Sequence, residues 1–102
     1  MNRLEMLEKM VVDRPEEPFV RYGLAMEYKK VARNEEAKAC FETLMREHPT
    51  YLPAYLMAGN LLESMGDPAG ARSTYERGSE VARAASDEHT LGELQAAIAG
   101  MA

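Results

Sequence analysis

Apolar residues recur along the chain at helical spacing. Leu4, Leu7 and Val11 fall at i, i+3 and i+7, with Met10 beside them. Val20, Leu24, Ala25 and Tyr28 share a second stripe, and Ala37, Phe41, Leu44 and Met45 a third; Leu91, Leu94, Ile98 and Met101 form another. A period near 3.6 places such residues on one face of an α-helix, whereas a half-buried strand alternates with period two. No strand pattern competes. Breaks divide the stripes at Pro15 and Pro18, at Pro49 and Pro53, and at Gly66-Asp67-Pro68, with weaker turn signals over 32–36 and 84–89. Between the breaks lie six segments of about 12 to 18 residues, an ordinary helix length. Pro18, Pro53 and Pro68 stand where a first helical turn begins, a position at which the missing N–H does no harm. Asp67 and Asn34 are placed as N-caps, and Lys29 and Lys30 fall near a helix C-terminus, where positive charge is favoured. The prediction is an all-α chain of about six helices.

The segments repeat. Sliding the sequence along itself until Leu7 meets Phe41 lays "LEKMVVDRP" (7–15) on "FETLMREHP" (41–49), and the same slide again lays it on "YERGSEVAR" (75–83). Leu7, Phe41 and Tyr75 coincide as bulky apolar residues, and Glu8, Glu42 and Glu76 are identical. In the other half of the unit Ala25 meets Gly59, Tyr28 meets Leu62, Ala32 meets Gly66 and Ala37 meets Ala71. Small therefore aligns with small, bulky with bulky and turn with turn. Gly59 sits inside an apolar helical run, where glycine costs about 1 kcal/mol relative to alanine. Closer contact between two antiparallel helices at Gly59 and Ala71, and at Ala25 and Ala37, offsets that cost.

This pattern resembles the tetratricopeptide repeat family. The matching residues are Leu24, Ala25, Tyr28, Ala32, Ala37, Phe41, Leu44 and Pro49 in one repeat, and Tyr55, Gly59, Leu62, Gly66, Ala71 and Tyr75 in the next. The resemblance implies a right-handed α-solenoid of antiparallel helix hairpins within a single domain. Residues 3–17 then read as the second helix of a partial leading repeat, 18–51 and 52–85 as two full repeats, and 87–101 as a C-terminal capping helix. The chain departs from the family pattern at Arg21, Gly78 and Arg83; without a proline at position 83, the fifth helix is expected to run on to about Ala85. The family also implies a concave face lined by the first helix of each hairpin. Here that face would carry Phe19, Tyr22, Gly23, Met26, Lys29 and Lys30, then Pro53, Leu56, Met57, Asn60, Glu63 and Ser64, with Tyr51 at the rim. Some members clamp a C-terminal carboxylate with lysine, asparagine and arginine in this groove. Tyr22, Met26 and Met57 replace clamp positions here, and Asn60 alone does not rebuild it.

Composition narrows the function. The 17 acidic and 12 basic residues leave a net charge of −5, which argues against nucleic-acid binding, a process driven by excess Lys and Arg. The basic group Lys29, Lys30 and Arg33 reads first as a complement to the helix dipole on a solvated face, with contact to an acidic partner or a phosphate as the alternative. One cysteine, Cys40, allows no intrachain disulfide and suits a reducing, cytoplasmic setting. The charged N-terminus lacks a signal-peptide core, and no run reaches the roughly 18 apolar residues of a membrane span. The two histidines, His48 and His89, have no partner at metal-ligand spacing, and no phosphate loop or nucleophile motif is present. The expectation is a non-enzyme without cofactor or metal. Its function is protein binding, as an adaptor or scaffold, with a partner helix or peptide held on Phe19, Tyr22, Met26, Lys29, Lys30, Tyr51, Leu56, Met57 and Asn60. Methionine side chains adapt to varied apolar partners, and eight are present. The alternative is a self-associating module whose groove forms a homodimer contact.

Overall fold

The computed structural model describes residues 1–101. Six helices account for most of them, and no strand occurs among the described residues: α1 (Arg3–Asp13), α2 (Pro18–Lys30), α3 (Asn34–Glu47), α4 (Pro53–Ser64), α5 (Pro68–Ala84) and α6 (Glu88–Ala99). They form two compact units, one over Met1–His48 and one beginning at Pro49. In the first, α2 packs against α1 and α3. In the second, α5 packs against α4 and α6, and α6 also touches α4.

Three of the connections use one device. After α2, α4 and α5 the chain passes through a single left-handed residue: Ala32 (φ 63°), Gly66 (φ 80°) and Ser86 (φ 57°). The next N–H, of Arg33, Asp67 or Asp87, reaches back to the carbonyl of Tyr28, Leu62 or Ala82, each at 2.9 Å. The N–H groups of Ala32, Gly66 and Ser86 bond the carbonyls of Lys29, Glu63 and Arg83 at 3.1, 3.0 and 3.1 Å. This pair of bonds is the Schellman closure of a helix C-terminus. The residue completing it is already the N-cap of the following helix, so each turn is as short as the geometry allows. Asp67 Oδ1 accepts from the Gly70 N–H at 2.9 Å, and Asp87 Oδ1 from the Thr90 N–H at 3.0 Å.

That device corrects one expectation. Asn34 is not a cap but the first residue inside α3, and Arg33 holds the cap position without a side-chain cap bond. The turn, rather than the preference of asparagine for caps, sets where α3 begins. Arg33 instead donates twice to the Glu36 carboxylate, at 2.6 Å each. At the N-terminus, Asn2 and Glu5 form a reciprocal capping box. α1 closes at Asp13, short of residue 17, with Arg14 as its C-cap. α5 ends at Ala84 with Ala85 as its C-cap, matching the expected extension.

Each unit has its own core. Leu24, Ala25, Ala37, Phe41 and Leu44 are buried in the first, and Tyr55, Leu61, Ala71, Tyr75, Ala82 and Leu94 in the second. Burying a large apolar side chain contributes about 1.5–3 kcal/mol. Gly59 belongs where the sequence places it: a Cβ there would lie 2.1 Å from the Tyr75 ring. Gly78 is required for the same reason, because its Cβ would meet the Tyr55 side chain at 2.6 Å and Leu94 at 3.1 Å. Two tyrosine hydroxyls anchor the packing. Tyr28 donates to Glu8 at 2.6 Å, tying α2 to α1, and Tyr55 donates to the Pro49 carbonyl at 2.6 Å.

Candidate functional site

Two faces of α2 have opposite characters. Val20, Leu24, Ala25 and Tyr28 turn into the first unit, while Phe19, Tyr22, Met26 and Lys30 follow one another at helical spacing on the other side. Pro18 at the first helical position starts the helix just ahead of Phe19, whose side chain is 71% exposed. These four line a concavity of about 480 Å³ together with Arg3, Gly23 and Glu27. Gly23 needs no close approach there, since a Cβ would make only an ordinary contact with Leu7 Cδ2 at 3.6 Å. Tyr22 is braced edge-on against the Phe41 ring, with centroids 6.4 Å apart and planes at 66°. One wall is closed by the Arg3 Nε–Glu27 Oε1 ion pair at 3.0 Å, which joins α1 to α2. Lys29 is half-buried in the last turn of α2 and does not line this concavity.

The remaining candidates lie in the second unit. Leu56 and Met57 are half-buried on α4, and Tyr51 is half-buried in the segment leading into it. Asn60 is engaged within its unit: its Oδ1 lies 2.6 Å from the Tyr75 hydroxyl, which also donates to Glu63 Oε2 at 2.5 Å. A phenol carries one proton, so the two acceptors compete for it, and turning the Asn60 amide over would convert a competitor into a donor. Burial and Glu63 together raise the Tyr75 hydroxyl well above the ordinary tyrosine range. Asn60 thus holds the α4–α5 contact.

Reactive chemistry is not assembled among the described residues. Burial pushes the Cys40 thiol up, away from the thiolate form a nucleophile needs. His89 is exposed and pairs with Glu93 at 3.6 Å, and His48 caps the end of α3. No group of His, Cys, Asp and Glu able to hold a metal occurs among the described residues, and no described helix is long and apolar enough to cross a membrane. What the α2 face offers is physical: an exposed ring, a braced ring, a thioether and a cationic edge around a recess. Sequence reasoning missed Arg3 and Glu27 in this recess. Their signal is a tertiary ion pair between positions far apart in the chain, which helical periodicity does not reveal.

Comparison with known proteins bears on the repeat and the fold. The family model for the tetratricopeptide repeat matches residues 20–50 and 52–84. A TPR repeat-containing protein of Pseudomonas aeruginosa is 28% identical over 91 residues, covering 89% of this chain and 87% of that protein. The solution structure of a tetratricopeptide repeat domain protein from Salinibacter ruber is 40% identical, with a TM-score of 0.79 over 82% of this chain and 85% of that one. The solution structure of a Bordetella parapertussis protein is 27% identical, with a TM-score of 0.83 over 99% of this chain and 88% of that one.

Proposed function

The chain belongs to the tetratricopeptide repeat family, and on that premise we propose a non-catalytic protein-binding module whose α2 face receives an apolar anchor from a partner helix or peptide. Repeats of this family generally mediate protein–protein interaction. In this reading residues 18–51 and 52–85 are the two full repeats, flanked by the partial repeat 3–17 and the closing segment 87–101. The observation that carries it is Phe19, 71% exposed beside Tyr22 and Met26 at the edge of a recess. An aromatic ring left in water is the kind of side chain that dominates binding once it is covered, at about 1.5–3 kcal/mol for the burial alone. Leu56 and Met57 on α4 add a second apolar contact, and Lys29 and Lys30 favour an acidic flank on the partner.

The test is quantitative capture from the native cell extract with wild type, Phe19→Glu, Leu56→Arg and the control Glu42→Lys, an exposed change on α3. Proteins retained by wild type and the control should be lost with Phe19→Glu and depleted with Leu56→Arg. A retained set that neither substitution changes would overturn the reading. If the only protein retained is the chain itself, the partner is a second copy, and self-association replaces the adaptor role while the recess keeps its part as the binding face.

A further inference from the structure

The occupant of the α2 recess can be read from the repeat register, and this step rests on the protein-binding reading above. The slide that sets Leu7 on Phe41, applied twice, carries Arg3 onto Ala71, Met6 onto Thr74, Leu7 onto Tyr75 and Met10 onto Gly78. In α5 those four residues are buried in the second unit, where Tyr75 and Gly78 meet α4. In α1 the same face is only partly covered: Leu7 is buried beside Gly23 of α2, but Met6 is 47% exposed and Met10 half-buried, and Arg3 and Phe19 border the recess. α1 is thus a second hairpin helix whose first-helix side is partly uncovered.

α6 is the converse. A slightly shorter slide lays Gly59 on Gly92 and Leu61 on Leu94. Leu94 is buried as Leu61 is, but Gly92 is exposed, and a Cβ there would meet nothing within 4 Å. The place that Tyr75 fills over Gly59 is empty over Gly92. A recess of about 460 Å³ between α5 and α6, lined in part by Arg77, Arg83, Gln95 and Ile98, lies alongside. Charge adds one match, through Lys30: α6 carries Glu88 and Glu93 and no lysine or arginine, while the recess's other cation, Arg3, is already paired with Glu27.

We propose that the α1–α2 recess takes the α6 helix of a second copy of this chain, so that α1 stands to the incoming α6 as α5 stands to α4. The contact joins two different faces. Association is therefore head to tail, and every copy keeps one face of each kind.

That asymmetry supplies the test. Met6→Glu puts a charge on the exposed face of α1, and Gly92→Arg puts a large side chain on the exposed face of α6; circular dichroism melts should show neither variant less stable than wild type. In light scattering behind size exclusion, wild type should rise above 11.4 kDa with concentration, and each variant alone should stay at 11.4 kDa. An equimolar mixture should then form a complex of about twice that mass, because the intact α6 of one variant meets the intact recess of the other. Wild type that stays at 11.4 kDa, association that either substitution leaves untouched, or a mixture that fails to associate would each overturn the proposal. If those results come with a different protein captured in a Phe19-dependent way, the protein-binding reading stands and only the identity of the occupant falls.

Discussion

A methyl group added at Gly59 would sit 2.1 Å from the Tyr75 ring, whereas at Gly23 it would rest 3.6 Å from Leu7, an ordinary contact. Two glycines inside helices therefore predict opposite results. Gly59→Ala must push α4 from α5 and should cost at least about 1–3 kcal/mol, the range for overpacked cores. Gly23→Ala should be neutral or stabilise by about 0.5–1 kcal/mol, because alanine loses less backbone entropy in a helix. Thermal melts followed by circular dichroism separate the two. The left-handed residues make a second pair. Ala32 and Ser86 hold positive φ values where the equivalent turn uses Gly66. A side chain in that region costs about 1–2 kcal/mol, partly offset by the extra freedom glycine has when unfolded. Ala32→Gly and Ser86→Gly should each stabilise by about 0.5–1 kcal/mol, raising Tm by several degrees. Gly66→Ala should lower it.

At the scale of the helix, α1 is held to α2 by Tyr28, which donates to Glu8, and by the Arg3–Glu27 pair. Burial first, and the Glu8 bond second, push the Tyr28 hydroxyl up to about 12. The ordinary tyrosine value near 10 holds in the unfolded chain, so the folded state keeps a proton the unfolded state gives up. The stabilisation is complete below pH 10 and is lost as pH rises toward 12. Stability measured across that alkaline limb should therefore fall, and Tyr28→Phe should flatten its share of the fall. Helix number, order and approximate ends are legible in the sequence because stripes such as Leu24–Tyr28 and breaks such as Gly66-Asp67-Pro68 act locally. The small residues are legible too, since the repeat register sets Ala25 on Gly59. What periodicity does not carry is closure between helices. Arg33 as the N-cap of α3, the Asn2–Glu5 capping box and the Arg3–Glu27 wall depend on turn geometry and on partners brought close by folding. Gly78 reads in sequence only as a departure from the family pattern; its reason, Tyr55 and Leu94 on either side, is tertiary.

Across the whole molecule, a chain of net charge −5 keeps a cationic edge and an uncovered aromatic ring on one face of α2. The central claim we propose is that those features bind rather than react. Its most direct test replaces Phe19 with the photo-crosslinking residue p-benzoylphenylalanine in the native cell, with Glu42 on α3 replaced in parallel. The account predicts discrete protein adducts from position 19 and none from position 42, and an adduct to α6 of a second copy would identify the occupant. No adduct at position 19, or the same adducts at both positions, would contradict it.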